Sequence, residues 1–415
     1  VGHLKYALAL AGGGTKGSYQ IGVWKALREL NIEISTVAGT SIGAINGAAI
    51  AINEYEKTKK LWEHIDYSYM VDYKPIEKDL DFQQKYENIK EQVKDITKKR
   101  GLDITPLRKL LKNMIDEDKI RESDIELIIT TVSLSELKPV FKSVREIPKG
   151  QIVDYILASA ALPFFQRVEI DGKHYLDGGA YDNLPINTLI DRGHKNIIAV
   201  DLKGGLVIKQ KVKENNADIT YIANSSVLGG PLSFDARQSR KNIRLGYLDA
   251  MKAFGVNYGK TYFIKDSKRP RYTYPLTNHE MGFIFHQMHR GKPNTDRFKL
   301  LQNRLFKNLR KYTAEQLNPE NAVIAAAEIA AETFEIDRVR EYSSEALVKK
   351  IMKTHRSVMR GFIPETHRID RLKKRLMKHM VKGDDFPSTV LLMTMPKIFI
   401  TDLFVYLMKQ RMERE

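Results

Sequence analysis

The chain has 415 residues, 42% of them apolar and 29% charged, and 68 Lys and Arg against 51 Asp and Glu leave a net charge of +17. That balance excludes a collagenous or wholly disordered chain and allows two or three domains, each with a core of its own. A cysteine count of zero excludes disulfides, thiolate zinc sites and a cysteine nucleophile.

The pattern opens with a short apolar strand, Tyr6 to Leu10, then the cluster Gly12-Gly13-Gly14 with Gly17, then a helical period through Ile21, Trp24 and Leu27 to Leu30. A second strand near Thr36 to Ala38 runs into Gly39-Thr40-Ser41-Ile42-Gly43 and a helix of small residues. This βαβα alternation predicts an α/β fold whose mostly parallel sheet is covered by helices on both faces. Residues 53–124 read as a charged, helical, cap-like insertion, with a lysine-rich face from Lys90 to Arg100. Ile125 to Val132 predicts a buried strand and Gln151 to Ala161 a helix. Arg167 to Leu176 predicts a hairpin turning at Asp171-Gly172, because Asp-Gly supplies the positive φ angles of a two-residue turn. Asn196 to Leu202 and Thr261 to Ile264 read as later strands of the same sheet, and a break is expected near Lys268 to Pro270.

From there the chain becomes basic and helical. Residues 271–415 hold 27 basic and 17 acidic side chains, so +10 of the +17 lies in this last third. An alanine-rich helix (Ala322 to Phe334) and a basic one (Arg368 to His379) predict an all-helical region over 269–415, beside a main domain over 1–268. The apolar stretches Val390 to Met395 and Ile398 to Met408 fit either an interfacial anchor for an anionic membrane surface or a packed subdomain. The uncharged run Phe386 to Pro396 is shorter than the ~18 residues that a membrane span needs, and no N-terminal stretch has the make-up of a secretory signal. The expected location is cytoplasmic, with peripheral membrane contact.

Three loops carry the chemistry. Gly12-Gly13-Gly14-Thr15-Lys16-Gly17 fits the dinucleotide fingerprint, and its unencumbered N–H groups equally suit an oxyanion hole. Gly39-Thr40-Ser41-Ile42-Gly43 matches the nucleophile elbow, a strand-to-helix turn that lifts the serine hydroxyl to a helix N-terminus, where the Ile42 N–H joins the donors. Asp177-Gly178-Gly179 follows the hairpin. An aspartate before two glycines commonly forms a turn, but a serine nucleophile also needs a base. The later histidines, His194, His279, His286 and His289, do not stand at loops after strands, so a Ser-Asp dyad is preferred over a Ser-Asp-His triad. Lys16 reads either as a solvent-facing lysine or as a residue that fixes the glycine loop or a lipid phosphate.

As a set, the three motifs resemble those of the patatin-like phospholipases of bacterial type. The resemblance runs from about Tyr6 to Asp266, takes in Ala158-Ser159-Ala160-Ala161-Leu162-Pro163 and the stretch Asn242 to Tyr262, and leaves the helical tail uncovered. It implies a three-layer α/β/α fold and a lipid acyl hydrolase acting on phospholipid or another acyl lipid, with Ser41 as nucleophile and Asp177 as base. The family's oxyanion loop falls on Gly12, Gly13 and Gly14 and its basic position on Lys16, with Gly17, Gly39, Gly43, Gly178 and Gly179 completing the motifs. No cofactor or metal is expected. An aspartate of ordinary pKa is a feeble base, so burial or hydrogen bonding is expected to tune it. Two other readings compete. A nucleotide-binding protein would use the Gly12 to Gly17 loop with Glu33 on the ribose, and a nucleic-acid binder would use the basic charge, although no binding module accompanies it.

Overall fold

Alternating apolar runs and small-residue helices build the first half of the chain, as seen in a computed structural model describing residues 4–66, 103–162, 165–203, 208–213, 216–265, 274–289, 296–313, 315–360 and 389–413. The chain divides into two units, Val1–Ala253 and Phe254–Glu415.

In the first unit, strands β1 (Lys5–Leu10), β2 (Glu33–Thr40), β3 (Glu126–Ser133), β7 (Asn196–Asp201) and β8 (Asp218–Ala223) run parallel in the order β3-β2-β1-β7-β8. Antiparallel β4 (Lys138–Ser143) flanks β3, and the hairpin β5 (Val168–Ile170) and β6 (Lys173–Asp177) extends the sheet. The hairpin turns where expected, with Asp171 at φ 51° and Gly172 at φ 74°. Helices α1 (Ser18–Glu29), α2 (Ile42–Ala51), α3 (Tyr55–Glu63), α4 (Thr105–Met114), α5 (Glu117–Glu122), α6 (Ile152–Ser159), α7 (Ile186–Asp191) and α8 (Ala236–Ala253) complete the unit. Residues 7–10 of β1 and 197–201 of β7 are buried without interruption. Only a sheet covered on both faces gives such strands, so the expected three-layer α/β/α arrangement is present.

The register of β3 positions the site. β2 pairs with β3 up to Thr40 opposite Thr130, and β6 pairs with Asp177 opposite Thr131. Since β4 occupies the other edge of β3 over 128–133, β2 and β6 must share one edge end to end. The residue after Thr40 therefore meets the last residue of β6.

The second unit holds α9 (Asn278–His289), α10 (Asp296–Leu309), α11 (Pro319–Thr333), α12 (Ser344–Met359), α13 (Thr389–Thr394) and α14 (Pro396–Met412). Two expectations need correction. The region is not all helical, and Thr261 to Ile264 is not part of the main sheet: β9 (Phe263–Ile264) pairs in parallel with β10 (Glu341–Tyr342). The reason is the buried Glu328 of α11, whose carboxylate accepts the N–H groups of Lys260, Thr261 and Tyr262 at 3.1, 3.0 and 2.9 Å and so ties this stretch to the helical unit. The division consequently falls at 253/254, ahead of the break expected near 268. Leu392, Phe399, Phe404 and Met408 are buried in cores of their own unit, which removes most of the apolar face an anchor would use, while Val390 and Met393 stay exposed. Lys90 to Arg100, Lys268 to Pro270 and Arg368 to His379 lie outside the described residues. Among the described residues, no helix is long and apolar enough to cross a membrane.

Candidate active site

The three motif loops converge at the carboxyl ends of the central strands. Leu10 of β1 stands opposite Gly39 of β2, so the glycine loop and the elbow leave the sheet side by side. A Cβ on Gly12 would come within 3.1 Å of the Ser41 Cβ.

Ser41 occupies a backbone conformation, φ 55° and ψ −121°, that non-glycine residues adopt only when their surroundings impose it. Its flanking glycines let the turn close: a Cβ on Gly39 would strike the Gly43 carbonyl, and one on Gly43 the Leu10 carbonyl. Sequence reasoning missed a further support. The Ser41 N–H donates to Ser159 Oγ at 2.8 Å, and Ser159 Oγ donates to the Thr130 carbonyl at 2.6 Å, so the last residue of α6 bolts the elbow to β3. Ser159→Ala strands a buried N–H and is expected to lower the unfolding free energy by about 1–3 kcal/mol, read by denaturant titration.

Asp177 is 6% exposed. Its N–H donates to the Ala161 carbonyl at 2.9 Å, and its Oδ1 accepts the Gly179 N–H at 2.7 Å. The Ser41 side chain lies beside the same carboxylate and favours its ionised form. Burial outweighs both favourable effects and pushes the Asp177 pKa up to about 6. The result is a carboxyl group poised near neutrality beside the Ser41 turn.

The glycine loop is held from two sides. The Gly12 N–H donates to the Asn183 carbonyl at 3.1 Å, and Asn183 Nδ2 donates back to the Gly12 carbonyl at 3.1 Å. That clamp corrects one expectation, because a Gly12 N–H already engaged is not available to an oxyanion. Gly14, at φ 57°, faces the Pro231 carbonyl so closely that any Cβ would collide with it, and the neighbouring Thr15 N–H donates to that carbonyl at 2.9 Å. The N–H groups of Gly13, Gly14 and Ile42 make no hydrogen bond to any described residue. Ile42 opens α2, whose dipole adds positive potential at the same end.

Lys16 is not solvent-facing. It is 6% exposed, and burial lowers its pKa. Gly14 and Ile42 also line a narrow apolar slot with Ile45, Trp62, Leu107 and Leu110, which no motif announced. Its free space is small, about 20 Å³, and it lies against Ile42, the residue after Ser41. His194 stands apart from this arrangement. It follows α7 and senses the charge of Glu126, at the start of β3 and thus the opposite end of the sheet from Thr130. His279, His286 and His289 belong to the second unit. Glu33 opens β2, away from the glycine loop, so it does not stand where a dinucleotide ribose would need an acid.

Comparison with known proteins finds sequence relatives over the first half of the chain. A family model described as patatin-like phospholipase matches residues 8–190, a shorter span than the expected 6–266. The chain is 29% identical over 209 residues to the lysophospholipase nte1 of Aspergillus terreus and 28% identical over 209 residues to patatin-like phospholipase domain-containing protein 7 of Rattus norvegicus. Each match covers 47% of this chain but only 12% and 13% of those much longer relatives. Among solved structures it is similar to VipD from Legionella pneumophila, at 14% identity and a TM-score of 0.41 over 98% of this chain and 87% of that one.

Proposed function

We propose that this chain, whose residues 8–190 belong to the patatin-like phospholipase family, is a lipid acyl hydrolase that works through Ser41 and Asp177. The observation that carries the proposal is the convergence of the Ser41 turn with the buried Asp177 carboxylate beside uncommitted backbone N–H groups. In the first step Asp177 takes the Ser41 proton as Oγ attacks the ester carbonyl. The oxyanion is received by the N–H groups of Gly13, Gly14 and Ile42, donors worth ~3 kcal/mol each in the transition state of such reactions. Collapse expels the alcohol, which leaves with the proton held by Asp177. Water then gives a proton to the same carboxylate as it attacks the acyl-enzyme, and Asp177 returns that proton to the departing Ser41 Oγ as the fatty acid is released. A base near pKa 6 suits this exchange, since it is ionised at neutral pH yet able to hold a proton transiently.

The apolar residues around the slot support a hydrocarbon part of the substrate lying against Ile42, and the fungal relative's name of lysophospholipase supports a single-chain lipid. Lys16 acts in this scheme from within the loop, as a buried positive charge beside the donors. The net charge of +17 supports peripheral contact with anionic lipid surfaces, from which the substrate is drawn.

The test is a series of p-nitrophenyl esters from butyrate to palmitate. Wild type is expected to prefer the longer chains. Leu110→Trp, which narrows the slot, is expected to lower kcat/KM for palmitate roughly 10–100-fold while leaving butyrate nearly unchanged. Equal losses on both esters would remove the slot from the account, and absence of hydrolysis of every ester would count against the function itself.

A further inference from the structure

The helical unit contains a second apolar space, unrelated to the Ser41 loops. A cavity of about 210 Å³ lies among α9, α10, α11 and α14, walled by residues such as Leu276, Ile284, Leu305, Ala326 and Phe404. It sits where the two apolar cores of the unit adjoin, since Ile284 and Leu305 belong to one and Phe404 to the other. Well-packed interiors leave few voids larger than a water molecule, and an apolar cavity of about 150 Å³ already stays dry and takes up benzene. Its lining is almost wholly apolar, so an apolar occupant is favoured over water.

One feature of the rim selects among apolar occupants. Arg310, just after α10, is the one charged residue lining the cavity. Its side chain is exposed, and it makes no ion pair with any described residue. Apart from Asn318, whose side chain caps α11, the other walls are apolar, including Met281 and Met408, whose unbranched side chains adapt to a flexible guest. An apolar interior with a single uncommitted guanidinium at its edge matches an amphiphile with one chain and one small anionic head.

We propose that this cavity binds a free fatty acid, its chain among α9, α10, α11 and α14 and its carboxylate on Arg310. The cavity stands on its own geometry; the choice of a carboxylate amphiphile over other anionic ones rests on the proposed hydrolysis, which makes fatty acid its product.

The test uses the full chain carrying Ser41→Ala, so that no turnover intrudes, and the fluorescent fatty acid cis-parinarate as probe, displaced by palmitate or by hexadecanol. Ala326→Phe, which fills the cavity, is expected to weaken parinarate at least about tenfold while the unfolding temperature stays level or rises. Arg310→Gln is expected to weaken palmitate roughly tenfold and leave hexadecanol within about twofold. Should Ala326→Phe fail to fold, the contrast between acid and alcohol in Arg310→Gln decides alone. Parinarate that does not bind, or binds equally to all variants, overturns the proposal, as does an equal loss of acid and alcohol in Arg310→Gln. Failure of the hydrolase reading is separately visible, because Ala326→Phe and Arg310→Gln in the otherwise native chain are expected to hydrolyse p-nitrophenyl butyrate at the wild-type rate.

Discussion

Ser41→Ala is expected to lower ester turnover by a factor on the order of 10⁴–10⁶, the range seen when the nucleophile of a preorganised site is deleted and only binding and the oxyanion donors remain. The structure makes this substitution a clean one. Alanine keeps the N–H that donates to Ser159 and so preserves the elbow's attachment to β3. What it removes is the oxygen that must form the acyl bond. The backbone at φ 55° supplies a second readout. Ser41→Gly relieves a conformation that costs non-glycine residues of order 1 kcal/mol, so this variant is expected to be equally inactive yet slightly more stable than Ser41→Ala. An inactive variant that is also more stable separates lost chemistry from lost folding. Residual turnover within about tenfold of wild type in either variant would assign the reaction to another group.

Asp177→Asn is expected to give the second largest effect and to move activity and stability in opposite directions. Asparagine keeps an oxygen for the Gly179 N–H but cannot take the Ser41 proton, and turnover is expected to fall by on the order of 10³–10⁴. Stability follows from the sign of the pKa shift. Burial raises the folded carboxyl from 3.8 to about 6, so between those values the folded chain holds more protons than the unfolded one. Its stability therefore falls as pH rises from about 4 to 6 and is level above, with ~3 kcal/mol withheld at neutral pH for a shift of about two units. Asp177→Asn removes that penalty. Its gain in unfolding free energy is expected to be largest above pH 6 and to fade towards pH 4, which denaturant titrations across this window will read. In wild type the same carboxyl is expected to give kcat/KM a limb that climbs to a plateau above about pH 6.

Much of the site was legible because its signals are local. A short apolar run, a glycine cluster and a helical period specify β1, the glycine loop and α1 wherever they occur, and Gly39 to Gly43 specifies the elbow by sterics that need no distant partner. The Asp171-Gly172 hairpin is of the same kind, whereas Asp177 stands out from an ordinary turn only in company with Ser41. The features that escaped depend on residues far apart in sequence. Gly12 loses its free N–H to Asn183, and Ser41 gains its support from Ser159, through contacts that no spacing rule encodes. Burial of Lys16 was equally hidden, since a lysine in a helical turn reads the same whether it faces water or a loop. The edge strands β4 and β8 mix polar and apolar residues because one side is wet, which erases the run that marks an inner strand. The two-residue strands β9 and β10 are too short to show a period at all. An apolar helix such as α14 looks alike whether it meets a membrane or its own core, and only packing told them apart.

The account is tested most directly by lipid mass spectrometry after incubating the full chain with mixed phospholipid and lysophospholipid vesicles, beside Ser41→Ala and Asp177→Asn. Free fatty acid appearing with wild type alone, together with the matching deacylated lipid, is the predicted result. Release that persists at the wild-type level in Ser41→Ala, or no release by wild type from any vesicle, would contradict it.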